Sequence, residues 1–273
     1  MRGTQRIDEY KFDAQNEIVH ITNWVKDYFV NNGDPNTKAV IGISGGKDST
    51  IAAALLVRAL GPDRVVGVMM PNGKQADLDD AKKVCQILNI RQYIINIDLT
   101  CNELYRAIDE SIGWDITVAD DKTISTNTPA RIRMAVLYAI AAMRHGRVCN
   151  TGNRSELFVG YTTKYGDLAG DFALLKNYTV REVLAIGDQL TEIPADLIHK
   201  APADGMSGLT DEDNLGFTYA QVDALILNGV RPDISTYTRI MAAHDRNTHK
   251  NAIRLPAPEK SDYLRPLGER CYN

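Results

Sequence analysis

The chain has 273 residues, of which 44% are hydrophobic and 24% are charged, and its formal net charge is −4 at pH 7. This length suits one large α/β domain with a sizeable core, and the composition is ordinary for a soluble globular protein. Nucleic-acid-binding proteins usually contain a basic domain. The slight acidic excess, with a pI of about 5.8, therefore argues against that class.

Cysteine spacing and hydropathy indicate the compartment. The four cysteines, Cys85, Cys101, Cys149 and Cys271, form no Cys-x-x-Cys pair, so we expect reduced thiols rather than zinc ligands or disulfides. The first ten residues are polar and do not resemble a signal peptide, and no apolar run approaches the length that spans a membrane. These features predict a cytoplasmic protein.

In chain order, the first predicted element is an amphipathic helix over about residues 8–31. Its apolar side chains, among them Ile18, Ile21 and Val25, recur at helical spacing. The run Asn-Asn-Gly-Asp-Pro at 31–35 predicts its end. We expect this helix to cover the sheet or to contact a partner subunit.

The next stretch joins a predicted strand to a predicted helix through two glycines. Val40–Ile43 is rich in β-branched residues and predicts a buried strand, whereas Ile51–Val57 predicts a helix. Between them lies Ser-Gly-Gly-Lys-Asp-Ser at 44–49. Glycines let a tight turn approach a ligand closely, and the N-terminus of a helix offers free N–H groups to an anion. The stretch therefore predicts a phosphate site, with a simple glycine turn as the alternative.

An acidic residue within this loop, Asp48, indicates a metal ion. The loop is not a Walker A motif, because Asp48 follows Gly46-Lys47 and Ile41 stands where the first glycine of that motif would be. A carboxylate repels a phosphate unless a cation lies between them, and Mg²⁺ can bridge the two. We therefore expect Mg²⁺ beside Asp48.

The following segments alternate between strand and helix, with a strand over 64–70, a helix over 77–88 and a strand over 92–97. Such alternation predicts right-handed βαβ crossovers and a parallel sheet. The expected fold class is α/β, a Rossmann-like doubly wound parallel sheet flanked by helices. Sheets of this kind bind ligands outside the carboxyl ends of their strands, where the loop at 44–49 lies.

The second half of the chain predicts further elements and two long loops. Thr128-Pro129 predicts the start of a helix, with the hydroxyl as cap and proline in the first turn. A strand and turn over 147–152 lead into a loop over 160–171 that is rich in glycine and hydroxyl groups, and a loop this long is usually functional or disordered. The glycines of a second loop, residues 201–214, predict a mobile lid. Further helices are predicted over 180–190, 219–227 and 236–244.

The loop at 44–49 resembles the pyrophosphate-binding loop of the ATP pyrophosphatase superfamily, whose members split ATP between its α and β phosphates. The resemblance extends from about residue 39 to residue 256 and sharpens to the ammonia-dependent NAD synthetases of that superfamily. Four later motifs carry it: Asn-Thr-Pro-Ala-Arg-Ile-Arg-Met at 127–134, Thr-Gly-Asn-Arg-Ser-Glu at 151–156, Gly-Tyr-Thr-Thr-Lys-Tyr-Gly-Asp at 160–167 and Thr-His-Lys at 248–250. Together they are more specific than the loop, which does not identify the substrate.

The resemblance implies three groups of site residues. The ATP site would be formed by Gly42, Ile43, Ser44, Gly45, Gly46, Lys47, Asp48, Ser49 and Thr151. Mg²⁺ would be held by Asp48 and Glu156, which together with Lys47 would be the catalytic residues. The deamido-NAD site would be formed by Arg131, Lys164, Asp171, His249 and Lys250.

The resemblance also implies the reaction, which is the amidation of deamido-NAD to NAD by ammonia. ATP is the co-substrate and Mg²⁺ the cofactor, an adenylated carboxylate forms, and AMP and pyrophosphate are released. Because no glutaminase domain is recognised before the loop, free ammonia is the expected nitrogen donor. Residues 1–273 are expected to form a single NAD synthetase domain with a C-terminal tail from about residue 257. The expected assembly is a homodimer that binds neither nucleic acid nor membrane.

Two positions depart from the pattern of that family. Val180 stands where the family commonly has lysine, and Lys176 or Arg181 would have to replace its charge. Pro202-Ala203-Asp204 stands where the family often has proline followed by a hydroxyl residue, so a contact to ATP would be missing or moved.

Two other functions fit the phosphate loop. One is another ATP pyrophosphatase, such as a tRNA-modifying enzyme, which would require a basic RNA surface and often catalytic or zinc-binding cysteines. The other is a non-catalytic nucleotide-binding module, which would need neither Asp48 and Glu156 together nor the loop that contains Lys164.

Overall fold

The computed structural model describes residues 11–75, 77–112, 122–200 and 210–252. Its strands are β1 (Lys38–Gly42), β2 (Val65–Met69), β3 (Arg91–Ile94), β4 (Gly146–Asn150) and β5 (Phe172–Ala173). Its helices are α1 (Ala14–Asn31), α2 (Lys47–Leu60), α3 (Leu78–Ile87), α4 (Asp98–Ile112), α5 (Lys122–Arg144), α6 (Arg154–Val159), α7 (Val180–Gly187), α8 (Ala195–Ile198), α9 (Asp211–Leu215), α10 (Tyr219–Asn228) and α11 (Ile234–Asn247). Short 3₁₀ helices occupy Pro62–Arg64 and Thr248–Ala252.

The five strands form one parallel sheet in the order β3-β2-β1-β4-β5. The strand order reverses between β1 and β4, because β2 and β3 lie on one side of β1 whereas β4 and β5 lie on the other. At such a switch point the connections leave two neighbouring strands in opposite directions and open a crevice at the carboxyl edge. The predicted doubly wound parallel sheet is confirmed, and the loop after β1 lies at this crevice.

Helices cover both faces of the sheet, because successive strand residues point to opposite sides. On one face, Ala39 and Ile41 of β1 belong to a core that also contains residues of α1, α2, α3 and α7. On the other face, Val40 of β1 and Val148 of β4 pack with residues of α4 and α5. The central strand is buried on both faces, which explains why its sequence is a continuous apolar run.

A third apolar cluster joins α6, α10 and α11. Its centre is formed by Val159 of α6, Val222 of α10 and Ile240 of α11, all of which are buried. Because α6 begins four residues after β4, this cluster also fixes the side chains at the start of α6 relative to the crevice.

Several element boundaries differ from the sequence prediction. Helix α1 begins at Ala14 rather than near residue 8, because Asp13 is extended and its side chain caps the helix by accepting from the N–H of Asn16 at 3.1 Å. Helix α5 begins at Lys122, so the predicted start at Thr128 is wrong. Pro129 therefore lies inside the helix, where it cannot donate a backbone hydrogen bond to the preceding turn.

The predicted lid at 201–214 is described only at its end. Residues 201–209, with Pro202-Ala203-Asp204, lie outside the described residues, as does the predicted tail from about residue 257. Asp211–Leu215 form helix α9 rather than loop, because Thr210 accepts from the N–H of Asp213 and the Asp213 carboxylate accepts from the N–H of Thr210. None of the described helices is long and apolar enough to cross a membrane.

Candidate active site at the carboxyl edge of the sheet

The residues between β1 and α2 form a tight loop that its own side chains hold. Ser44 and Ser49 hydrogen-bond across the loop, with 3.1 Å between their Oγ atoms. The Oγ of Ser44 also accepts from the N–H of Gly46 at 3.2 Å. Gly45 has a φ of 84°, and a Cβ there would lie 2.6 Å from the carbonyl oxygen of Asp77. Both the left-handed conformation and the close approach require glycine at this position.

The N-terminus of α2 faces the crevice and has the properties of an anion site. Gly46 is the N-cap residue, and no side chain in the described part of the chain caps this helix. The leading N–H groups of a helix have no partner within it, and the helix dipole favours negative charge there. A phosphate group is therefore the natural ligand of this terminus.

Lys47, the first residue of α2, is buried against its neighbour Asp48. Its Nζ lies 2.7 Å from Oδ2 of Asp48, and only 4% of Lys47 is exposed. Burial by itself would lower the pKa of Lys47, but the negative charges of Asp48 and Glu156 raise it overall. The ammonium group therefore stays protonated and provides a fixed positive charge beside the loop.

Asn153 connects the two predicted metal ligands. Its Nδ2 donates to Oδ1 of Asp48 at 3.1 Å, and its backbone N–H donates to Oε2 of Glu156 at 3.1 Å. The Oδ1 of Asn153 accepts from the N–H of Glu156 at 3.0 Å, which completes a capping box at the start of α6. The structure therefore brings Asp48, from the loop after β1, and Glu156, from the helix after β4, to one site.

The electrostatics of this pair fit a divalent cation. Burial, and then the negative charge of Asp48, raises the pKa of Glu156 well above its usual range, and Lys47 only partly offsets this. Among the described residues, no group of three or more His, Cys, Asp or Glu side chains could hold a metal ion. Mg²⁺ usually binds one or two carboxylates and completes its coordination with water and substrate phosphates. Asp48 and Glu156 beside a phosphate loop match that donor set.

Two residues that the sequence analysis missed, Asp211 and Tyr219, belong to the same site. Asp211 begins α9 and is 8% exposed, and its negative charge acts on both Lys47 and Glu156. The hydroxyl of Tyr219 is buried without a hydrogen-bond partner in the described part of the chain, and burial and the charges of Glu156 and Asp211 raise its pKa. The Thr210 capping box was the available signal for Asp211. The sequence gives no comparable signal for Tyr219.

Four of the five predicted deamido-NAD residues lie next to one another. The Nε of Arg131 donates to the carbonyl oxygen of Lys164 at 3.3 Å, and the Nζ of Lys164 donates to the carbonyl oxygen of His249 at 2.9 Å. The Nζ of Lys250 donates to the carbonyl oxygen of Thr162 at 2.7 Å. Helix α5, the glycine-rich loop after α6 and the 3₁₀ helix after α11 thus place four basic side chains in one region.

The fifth residue, Asp171, makes no contact with that group within the described residues. Its Oδ2 accepts from the N–H of Val148 at 2.7 Å, and its Oδ1 accepts from the hydroxyl of Tyr138 at 3.4 Å. These contacts give the Asp171 carboxylate a structural role beside β4. Its role in substrate binding remains a prediction.

Two further predicted contacts concern ATP. Thr151 directly follows β4, which is paired with β1, so it lies at the crevice. Of the two cations considered as replacements for a lysine at Val180, Arg181 is exposed, whereas Lys176 is half-buried and burial lowers its pKa. The part that either cation plays at the nucleotide site stays a prediction.

Comparison with known protein families identifies the family of this chain. The family model for NAD synthase matches residues 17–253, which include the phosphate loop, Glu156 and the four basic side chains. The chain belongs to the NAD synthase family. Members of this family are ligases that use ATP. Of the three functions considered in the sequence analysis, the match therefore supports the NAD synthetase. The NAD synthase match gives no support to a tRNA-modifying enzyme or a non-catalytic module.

Individual relatives and solved structures agree with this assignment. An NH(3)-dependent NAD(+) synthetase of Thermoplasma acidophilum is 36% identical over 248 residues, which are 88% of this chain and 97% of that protein. The structure of an NMN synthetase from Francisella tularensis is 33% identical, with a TM-score of 0.79 over 90% of this chain and 98% of that one. An NH3-dependent NAD synthetase from Campylobacter jejuni is 27% identical, with a TM-score of 0.68 over 89% of this chain and 98% of that one.

Proposed function

We propose that this chain catalyses the ATP-dependent amidation of deamido-NAD to NAD with ammonia, and that Asp48, Glu156 and Lys47 are its catalytic residues. The observation that carries the proposal is the double hydrogen bond of Asn153, which holds the acid of the phosphate loop beside the acid of α6. A nucleotide-binding loop alone would not need this second acid. The reaction does need it, because the two acids together would hold the Mg²⁺ that neutralises phosphoryl charge as pyrophosphate leaves.

The phosphates of ATP lie in the loop formed by Gly42–Ser49, with Thr151 across the crevice. The uncapped N-terminus of α2 and the buried ammonium group of Lys47 provide positive charge there. The absence of a side chain at Gly45 lets the loop pack closely against Asp77 and Ala81 at the start of α3. These features support an ATP site, and ATP is the co-substrate of the family.

Asp48 and Glu156 would hold Mg²⁺ beside the phosphate loop. When bound, Mg²⁺ supplies positive charge at the α-phosphate and at the departing pyrophosphate. Asn153 fixes the orientation of the Asp48 carboxylate, and Lys47 neutralises part of its charge. Residues that orient metal ligands in this way commonly change metal affinity by about ten- to a hundredfold when they are replaced.

Deamido-NAD lies against Arg131, Lys164, Asp171, His249 and Lys250. The substrate carries two linked phosphates and a carboxylate, and charge-assisted hydrogen bonds from basic side chains suit all three groups. The closeness of Arg131, Lys164, His249 and Lys250 supports a shared ligand. Asp171 is included as the family residue at this position, although its carboxylate contacts β4.

The chemistry follows from the poor reactivity of a carboxylate toward ammonia. A carboxylate oxygen of deamido-NAD attacks the α-phosphorus of ATP, the bond to the β-phosphate oxygen breaks, and pyrophosphate leaves. Ammonia then attacks the carbonyl carbon of the resulting mixed anhydride, loses a proton, and displaces AMP. The reaction needs no nucleophilic side chain, which agrees with the buried state of Cys85, Cys101 and Cys149.

The test is a reaction with defined components. The protein is incubated with ATP, MgCl₂, ammonium chloride and deamido-NAD, and the products are separated by chromatography. We expect NAD, AMP and pyrophosphate in equal amounts, and little NAD when glutamine replaces ammonium. Formation of ADP and phosphate, or of no amide product, would contradict the proposal.

A second candidate substrate is the mononucleotide nicotinic acid mononucleotide, which would be amidated to NMN. One observation favours it: the NMN synthetase from Francisella tularensis has a TM-score of 0.79 to this chain, against 0.68 for the NAD synthetase from Campylobacter jejuni. The chemistry at the carboxylate is the same for both substrates. The two are separated by measuring kcat/KM for each with the same enzyme preparation, and the larger value identifies the substrate.

The assembly follows from exposed apolar side chains on one helix. We propose a cytoplasmic homodimer of a single domain that includes the whole chain. Helix α4 exposes Leu99, Leu104 and Ile112, with 77%, 42% and 52% of each residue accessible. At about 100° of rotation per residue, Leu104 and Ile112 share one side of the helix, whereas Leu99 lies on another side. Exposed apolar residues that share one side are typical of a protein interface. Sedimentation equilibrium should give twice the mass of the chain, and Leu104→Glu should reduce it to that of the monomer.

A further inference from the structure

A second cavity lies at the opposite edge of the sheet, where β1, β2 and β3 begin. Its volume is about 620 Å³, which falls within the roughly 300–1,000 Å³ of small-molecule sites. Lys38 at the start of β1, Arg91 at the start of β3 and Arg144 at the end of α5 line it. None of these residues belongs to the ATP, metal or deamido-NAD groups, so the amidation reaction does not account for the cavity.

The charges around this cavity are predominantly positive. Asp63 is the acidic lining residue, against three cations. The Nζ of Lys38 donates to the carbonyl oxygen of Asp63 at 3.1 Å, which holds the ammonium group in place without neutralising it. Within the described part of the chain, Lys38, Arg91 and Arg144 form no ion pair with a carboxylate.

Some other surface cations of this chain are paired with carboxylates. Arg58 pairs with Glu192 at 2.6 Å, and Lys83 pairs with Asp196 at 2.9 Å. Arg106 contacts two carboxylates of its own helix. Like charges that converge without a counter-charge repel one another, and an anion that binds between them removes this cost. The convergence of three cations without a paired carboxylate on one cavity therefore favours an anionic ligand.

The contacts of Tyr93 bring two arginines together beside the cavity. Arg144 donates a hydrogen bond to the hydroxyl of Tyr93, and its guanidinium carbon lies 5.3 Å from the centre of the ring. A hydrogen bond from Arg91, and further the charge and hydrogen bond of Arg144, lower the pKa of Tyr93 against the opposing effect of desolvation. The planar guanidinium group binds phosphate and carboxylate through two parallel N–H donors. Two of them at one rim suit a phosphate group.

The rest of the lining is suited to an organic group rather than to an inorganic ion. Pro62 is half-buried and supplies apolar surface between the cations, and the almost fully buried Val66 and Ile90 line the cavity behind it. Asn89, whose backbone has a φ of 49°, adds a carboxamide that can donate and accept hydrogen bonds. We propose that this cavity binds an organic phosphate of mononucleotide size, with its phosphate on the arginines and its ring on the apolar surface.

This site is separate from the active site. Strand β1 begins at Lys38 beside the cavity and ends at Gly42 before the phosphate loop. A strand rises by about 3.3 Å per residue, so roughly 13 Å of strand separates the two sites. Both sites can be occupied at once, and the inference stands whether or not the proposed amidation is correct.

The test measures binding of uridine monophosphate by isothermal titration calorimetry, with the ATP site filled by Mg²⁺ and a non-cleavable α,β-methylene analogue of ATP. We expect one saturable site in the native chain. Arg91→Gln and Arg144→Gln should each weaken binding by about tenfold, because each removes a charge-assisted contact to phosphate. Arg106→Gln removes the same charge from an exposed helix and should leave the affinity unchanged. All three variants should keep the native thermal unfolding midpoint and amidation rate.

The comparison of probes tests the class of ligand. Uridine, which lacks the phosphate, should not bind measurably, and inorganic phosphate should bind at least about tenfold more weakly than the nucleotide. Absence of binding when the ATP site is filled, or equal affinity in Arg91→Gln, Arg144→Gln and the native chain, would refute the site. Equal affinity for inorganic phosphate and the nucleotide would refute an organic ligand.

Discussion

The carboxamide of Asn153 donates a hydrogen bond to the carboxylate of Asp48, with 3.1 Å between Nδ2 and Oδ1. The two residues follow different strands of the sheet, β4 and β1. The same asparagine begins α6 and binds Glu156 through its capping box. One side chain therefore sets both the start of a helix and the relative position of the two acids that we propose as metal ligands.

The first prediction separates these two roles of Asn153. Asn153→Ala should destabilise the protein by about 1 kcal/mol, because the N-cap of α6 is lost. It should also raise the Mg²⁺ concentration for half-maximal activity by about ten- to a hundredfold, because the Asp48 carboxylate loses a hydrogen bond that orients it. Chemical denaturation and a magnesium titration of pyrophosphate release measure the two effects.

Asn153→Ser is the matched control for this prediction. Serine caps a helix about as well as asparagine, but its shorter side chain carries no amide to reach Asp48. The serine variant should keep the native stability and show the magnesium defect of the alanine variant. Native magnesium dependence in both variants would show that Asn153 does not orient the metal site.

The second prediction concerns the backbone of the phosphate loop. In Gly45→Ala the new Cβ would lie 2.6 Å from the carbonyl oxygen of Asp77, in a residue with a φ of 84°. Gly229 has a φ of 66° and open space around its Cβ position, so Gly229→Ala measures the conformational cost alone. We expect about 1–2 kcal/mol for Gly229→Ala and a larger loss for Gly45→Ala. Gly45→Ala should also raise the KM for ATP, and equal stability of the two variants would contradict the close contact.

The order of elements could be predicted from the sequence because each signal is local. Patterns of only a few residues predict the strand β1, the glycine turn and the following helix. The alternation of strands and helices then predicts a parallel sheet. The first and last residues of the elements were harder to predict, because they depend on side-chain contacts. The predicted helix start at Thr128 was wrong, since the helix continues back to Lys122 and carries Pro129 inside it.

The site was predictable only where a motif carries it. The loop at 44–49 and Glu156 could be found from the sequence, but their connection through Asn153 could not, because it depends on the switch point that places β1 beside β4. Asp211 and Tyr219 were missed for the same reason. Their helices begin only after the segment that the sequence predicts as a long loop, and tertiary packing brings them to Lys47 and Glu156.

The third prediction tests Asp48 as a metal ligand. Asp48→Asn keeps the size of the side chain but removes a negative charge from the metal site. We expect a normally folded protein whose rate of pyrophosphate release falls by about 100- to 1,000-fold, the usual effect of losing one preorganised electrostatic contact. Asp79→Asn removes the same charge from an exposed position on α3 and should leave the rate unchanged. Near-native rates for Asp48→Asn at limiting Mg²⁺ would exclude Asp48 as a ligand.

The fourth prediction assigns Lys164 to deamido-NAD rather than to ATP. Truncation of one charged contact costs about 1.5–3 kcal/mol, which is about ten- to a hundredfold in affinity. Lys164→Ala should therefore raise the KM for deamido-NAD, or lower kcat if the contact tightens in the transition state. The KM for ATP should hardly change, and Lys26→Ala on the exposed side of α1 serves as the control. A change in the KM for ATP alone would show that Lys164 contacts ATP rather than deamido-NAD.

The fifth prediction concerns the pH dependence of stability and rests on Asp223 in α10. This carboxylate is 3% exposed, and burial raises its pKa to about 6, although hydrogen bonds from Ser155 and from the N–H of Arg181 oppose the shift. An aspartate in an unfolded chain has a pKa of about 3.9. Between these two values the folded protein holds more protons than the unfolded chain, so the contribution of Asp223 to stability falls as the pH rises from about 4 to about 6.

Asp223→Asn removes this titration and supplies the test. The difference of about two pKa units corresponds to at most about 3 kcal/mol. The variant lacks a carboxylate that accepts hydrogen bonds, and this changes its free energy of unfolding by the same amount at every pH. The test therefore compares how the free energies of unfolding of the variant and the native chain change with pH. From pH 4 to pH 6 the free energy of unfolding of the native chain should fall by up to that amount relative to that of Asp223→Asn. Above pH 7 the difference between the two should stay constant. Asp27→Asn, at an exposed position of α1, should show the same pH dependence of the free energy of unfolding as the native chain. A constant difference between the native chain and Asp223→Asn across this range would show that Asp223 titrates as an ordinary aspartate.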